Sequence, residues 1–134
     1  MLGTAPTIVR LSLHVTAAAV WVGGQITLGG LVPTVRKEAP ELTTALARRF
    51  ARLAWPAYVV LIGTGMWNIV ATHPSHQTSA WKAVLSAKIT VVVLAGAAAF
   101  AHQRVRGPKA IAIWGALAGL SSLSALAMGV ALSG

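Results

Sequence analysis

The chain has 134 residues, of which 56% are hydrophobic and only 10% charged, and its formal net charge is +9. A soluble domain averages about 25% charged residues, so the composition indicates a membrane protein, and the length suits one compact domain of about four spans at roughly 20 residues each. There is no cysteine and no aspartate, and both acids, Glu38 and Glu41, lie outside the apolar stretches. These absences exclude disulfides, thiolate and iron–sulfur sites, and carboxylate-pair catalysis inside the bilayer.

The first apolar stretch, Thr7 to Val32, is long enough to cross a bilayer, yet it contains His14, Gln25 and the pair Gly23-Gly24. Steps of four and three residues place His14, Ala18, Trp21, Gln25 and Leu28 on one helical face. A face that mixes an imidazole, a small residue, a ring and an amide points into a bundle, because polar groups facing lipid are costly. Met1 to Pro6 carry no Lys or Arg and the run exceeds a signal core, so a cleaved signal peptide is not expected.

The first span ends at Pro33. From Pro40 to Ala71 there is no strong breaker; Pro at a helix start is tolerated and Glu41 suits the first turn. One helix is expected there, extending over 40–53 on the cytoplasmic side, entering the membrane near Ala54 and bending at Pro56. Thr72 to Ala80 is a polar loop with Pro74 as its breaker. The third span starts at Trp81, the basic turn His102 to Lys109 follows, and the fourth span is Ala110 to Leu132. Gly115 and Gly119 in GALAG would let another helix approach closely, inside the bundle or in a homodimer. The expected spans are thus 8–32, 54–71, 81–101 and 110–132, in an all-α integral membrane four-helix bundle.

The charges set its orientation. Arg36, Lys37, Arg48, Arg49, Arg52, Arg104, Arg106 and Lys109 fall on the first and third connections, against Arg10 and Lys82 on the opposite side. Positive residues favour the cytoplasm, which places both termini on the outer side of the cell's inner membrane. The same clustering at span ends argues against nucleic acid as a partner and assigns the basic edges, His102 included, to orientation and anionic headgroups.

With that topology, His14 lies roughly 9 Å below the outer end of span one and Lys88 roughly 10 Å below that of span three. Met66 and Met128 lie near the outer ends of spans two and four, and His73 and His76 cap the same side. Imidazole with thioether is a ligand set that suits copper, Cu(I) above all. His14, Met66 and Met128 are therefore candidate ligands, with His73 and His76 collecting the ion at the mouth. Methionines also serve as apolar filling, and a polar loop needs no metal to explain its histidines. A histidine inside a span needs either a ligand or a hydrogen bond to a neighbouring helix. Thr64 and Asn68, one turn apart, are expected to hydrogen-bond another helix, with Gln25 as a partner. Lys88 either snorkels to the headgroups or attracts carboxylates such as porphyrin propionates. Lys88 and His102 share a helix face but lie about 21 Å apart along the axis, so His14 and His102 cannot both be axial ligands of one haem. A haem held by His14 alone, or with a methionine, stays open.

LHVTAAAVWVGG, a His followed seven residues later by Trp and then Gly-Gly, resembles the opening helix of the copper resistance protein D family. ARRFARLAWPAYVVLIGTG is similar to that family's R-F then T-G second helix, and Lys88 with the basic end of its span continues the likeness. The resemblance implies an inner-membrane helical bundle linked to copper uptake or tolerance, with His14 matching the family's first-helix histidine. The His-to-Trp-Gly opening, WPAYVVLIGTGMW and Lys88 also look like the haem-associated membrane protoporphyrinogen oxidases. That likeness implies haem b as cofactor, with His14, Trp21 and Lys88 at the binding site, and an oxidoreductase acting on a porphyrinogen. A third reading is a non-catalytic accessory subunit of a larger membrane complex, in which His14 is only a structural hydrogen bond.

Overall fold

The computed structural model describes residues 3–134, so the expectation about Met1 to Pro6 falls partly outside them. Four long helices account for most of the described chain: α1 (Ala5–Glu38), α2 (Pro40–Ala71), α3 (Ser79–Arg104) and α4 (Pro108–Ser133). Each is long and apolar enough to cross a membrane, and the chain is an all-α, multi-pass membrane protein. No strand occurs among the described residues. The chain divides into two compact units, Met1–Thr72 and His73–Gly134, each containing one pair of long helices.

In the first unit, α1 continues through Pro33 to Glu38 instead of stopping where the apolar stretch does. Its ladder is interrupted by a π-helical turn at Ala19–Gly23, around Trp21. Such a turn shifts the hydrogen-bond ladder by a residue and makes side-chain satisfaction of a carbonyl useful. Here Gln25 Nε2 donates to the Trp21 carbonyl at 2.9 Å. Gln25 thus bonds within its own helix, where a bond to Thr64 or Asn68 was expected. The face His14, Ala18, Trp21, Gln25 and Leu28 is covered or half-covered along its whole length.

Ala39 leaves the helical region (φ −148°, ψ 67°), and α2 starts with a 3₁₀ turn at Pro40–Leu42 before its long α-helical body. The helix runs on through Pro56. Large rings fill the contact between α1 and α2. Trp21, only 4% exposed, lies 4.6 Å from Tyr58 and 5.6 Å from Trp55, centroid to centroid. Further along, a side chain at Gly24 would overlap the Phe50 ring, so one glycine of the Gly-Gly pair makes room for that ring.

The second unit is built from small residues. Ala95, Gly96 and Ala98 of α3 are buried, as are Ala118, Ser121, Ser122 and Ala125 of α4. Small residues bring helix backbones close, which is how helices associate when lipid removes the hydrophobic drive between them. Two cross-helix bonds pin the ends: Trp81 Nε1 donates to the Leu132 carbonyl at 3.3 Å, and His102 Nδ1 donates to the Ile111 carbonyl at 2.8 Å. A Cβ at Gly115 would stand 3.0 Å from the His102 ring. The first glycine of GALAG therefore seats an imidazole of its own hairpin, while a Cβ at Gly119 would meet nothing within 4 Å.

The α3 helix begins at a Thr78 cap whose hydroxyl accepts from Trp81 N at 3.1 Å, satisfying one of the free donors of a helix start. The α4 helix follows Gly107, at φ +90°, which L side chains rarely adopt. Elsewhere the helices expose Val15, Leu53, Val59, Val70, Leu120 and Val130. That is the apolar exterior a span presents to lipid.

Candidate functional site

The polar centre of the first unit is a cross-helix pair. His14 projects from α1 and Thr64 from α2, and His14 Nδ1 lies 2.7 Å from Thr64 Oγ1. The Thr64 hydroxyl has one proton, and Oγ1 lies 2.7 Å from the Val60 carbonyl, one helical turn back. A carbonyl can only accept, so the hydroxyl donates to Val60 and must accept from His14. Nδ1 therefore carries the ring proton, and in the neutral imidazole the lone pair is on Nε2. Thr64 is buried and His14 half-buried.

The residue after Thr64 lies beside the ring. A Cβ at Gly65 would be 3.8 Å from His14 Cε1, so the ring lies along a bare stretch of α2 backbone. The threonine fixes the ring's rotation and tautomer, and position 65 lies in ordinary van der Waals reach of the ring. A donor bond behind a histidine is the arrangement that orients imidazole ligands at metal sites and raises their basicity.

The other expected site residues are distributed as follows. Met66, two residues beyond Thr64, falls on another side of α2 and is 63% exposed. Trp21 is enclosed by Trp55 and Tyr58. Met128, in the second unit, is half-buried and precedes Gly129, against which the Lys88 ammonium lies. His73 and His76 are exposed on either side of Pro74 and Ser75, their rings nearly parallel with centroids 6.2 Å apart. His73 has φ 47°, a left-handed backbone uncommon for a non-glycine residue. Among the described residues, no three His, Asp or Glu side chains gather into a metal cage.

Two features go beyond the sequence reading, which passed over Tyr58 and used Arg10 for its charge alone. Tyr58 joins Trp21 and Trp55 in a three-ring cluster; its spacing of three from Trp55 was the available signal. Arg10, one turn before His14, has a covered Nη1 with no hydrogen-bond partner among the described residues. The basic residues Arg48, Arg49 and Arg52 lie along one exposed stretch of α2, lining a shallow surface depression with Ala45.

Comparison with known proteins supplies one match. The family model for copper resistance protein D matches residues 44–133, a range that includes Thr64, Gly65, Met66, Lys88 and Met128 but not His14. No curated protein and no solved structure matches the chain.

Proposed function

The chain belongs to the copper resistance protein D family, a membership that assigns it to membrane copper handling, and from that premise we propose that it binds copper through Nε2 of His14. One observation carries this reading: the Thr64 hydroxyl accepts a hydrogen bond from His14 Nδ1, which puts the lone pair of a neutral span imidazole on Nε2. A neutral imidazole suits copper, and Cu(I) accepts it readily alongside soft thioethers. The chain's other candidate copper donors, each taken by itself, are Met66, Met128 and the loop pair His73 and His76. Thiolates are absent and the carboxylates are confined to Glu38 and Glu41, so the donor chemistry leans to the lower oxidation state.

In this proposal the protein sits in the inner membrane with both termini outside, as its basic connections direct. His14 then belongs to the outer half, and copper reaches it from that side. The division of labour is simple: Nε2 binds the ion and Thr64 orients the ring.

Elemental analysis of detergent-purified protein for copper and iron, beside its absorption spectrum, tests the reading. Copper retained after washing by the parent and lost in His14→Ala is the expected result. A Soret band with stoichiometric iron would overturn it in favour of a haem protein.

A further inference from the structure

Lys88 poses a separate question from copper. It lies within the apolar run of α3, and its Nζ has neither a hydrogen bond nor an ion pair among the described residues. The only acids cannot serve within its own hairpin, since Glu38 and Glu41 both belong to the first unit. A charge in an apolar span is expensive unless something compensates it.

The geometry around the ammonium is specific. The pins Trp81–Leu132 and His102–Ile111 share one antiparallel register, which sets Lys88 opposite Ala125. Its ammonium instead lies at Gly129, one helical turn nearer the end of α4: a Cβ at position 129 would stand 2.9 Å from Nζ. The stem thus climbs toward the helix end, and the bare backbone at Gly129 is the notch beside which the tip of the side chain lies. Gly119, on the same helix, has no such neighbour.

Depth indicates what the charge meets. A 26-residue α4 is about 39 Å long against a hydrocarbon core of about 30 Å, so each end protrudes by roughly 4–5 Å. Gly129 is four residues from Ser133, about 6 Å from the helix end. The ammonium therefore lies close to the boundary between hydrocarbon and headgroups, where lipid phosphates are found.

We propose that Lys88 Nζ and the backbone notch at Gly129 form a seat for the phosphate of an acidic phospholipid headgroup. The lipid supplies the counter-charge that the hairpin lacks, and the glycine leaves room for the ammonium in the groove between α3 and α4.

The test is native mass spectrometry of the full chain in detergent, titrated with phosphatidylglycerol and, separately, with phosphatidylcholine. Circular dichroism confirms that each variant keeps the parent's helix content. The parent should retain phosphatidylglycerol in preference to phosphatidylcholine. Lys88→Gln should weaken that retention at least about fivefold, the effect of one basic residue near an anionic surface. Gly129→Ala, which keeps the lysine but fills the notch, should weaken it as well, and Lys88→Arg should preserve most of it. Inorganic phosphate should not compete; competition would identify free phosphate as the occupant of the same seat. Equal retention by the parent and Lys88→Gln would overturn the proposal. So would loss in Lys88→Gln with full retention in Gly129→Ala, because the charge would then act without the notch.

Discussion

In the first hairpin the span histidine is held by a hydroxyl from the facing helix, whereas in the second the span lysine rests on a glycine and has no partner among the described residues. The packing around them differs in the same sense. Between α1 and α2 the contact is made by rings, Trp21, Trp55 and Tyr58, and a π-helical turn adjusts the register at Trp21. Between α3 and α4 it is made by alanines, serines and glycines, with hydrogen bonds at both ends. A hairpin with large rings and a satisfied polar pair fixes one side chain's orientation and tautomer. A hairpin of small residues leaves a groove and a charge to be met from outside the chain. The first design suits a ligand position and the second an anion seat.

The contrast can be broken most severely at His14. His14→Ala removes the donor atom, and copper affinity should fall by more than any substitution behind it, read by competition with a Cu(I) chelator. Thr64→Val comes next. It leaves the imidazole in place but frees its rotation and tautomer, and loss of such a supporting partner costs about 10–100-fold in metal affinity. Because both act on one ring, the double variant should bind no worse than His14→Ala alone. If Thr64→Val bound copper like the parent, the hydroxyl would be a packing contact only.

Packing substitutions should have smaller effects and leave the ligand alone. Gly24→Ala forces the Phe50 ring from its place, and overpacking of this kind costs about 1–3 kcal/mol, measurable as a lowered thermal midpoint in detergent. Trp81→Phe removes the bond to the Leu132 carbonyl and should cost about 0.5–1.5 kcal/mol, in the second hairpin only. Neither should change copper binding per folded molecule.

Much of this was legible from the sequence, for identifiable reasons. Helical periodicity alone put His14, Trp21, Gln25 and Leu28 on a common covered face, because the 3.6-residue repeat is a local property. That Thr64 bonds another helix was also readable, since a hydroxyl amid apolar residues has few alternatives. Its partner was not: Gln25 was expected and His14 is found. Which residues meet across two helices depends on their register, and no spacing within one chain segment encodes it. The π-helical turn was hidden for a related reason, because AVWVG contains no breaker and the turn arises where rings from two helices must fit. Gly115 was read correctly as a place of close approach, but what approaches is the His102 ring. Gly129 looked like any small residue until the Lys88 ammonium was found against it.

The central claim, that His14 offers Nε2 to copper, is tested most directly by X-ray absorption at the copper edge on copper-loaded parent and His14→Ala. The account predicts imidazole scattering in the parent that disappears in the variant. Identical imidazole scattering in both, as the loop histidines would produce, would contradict it.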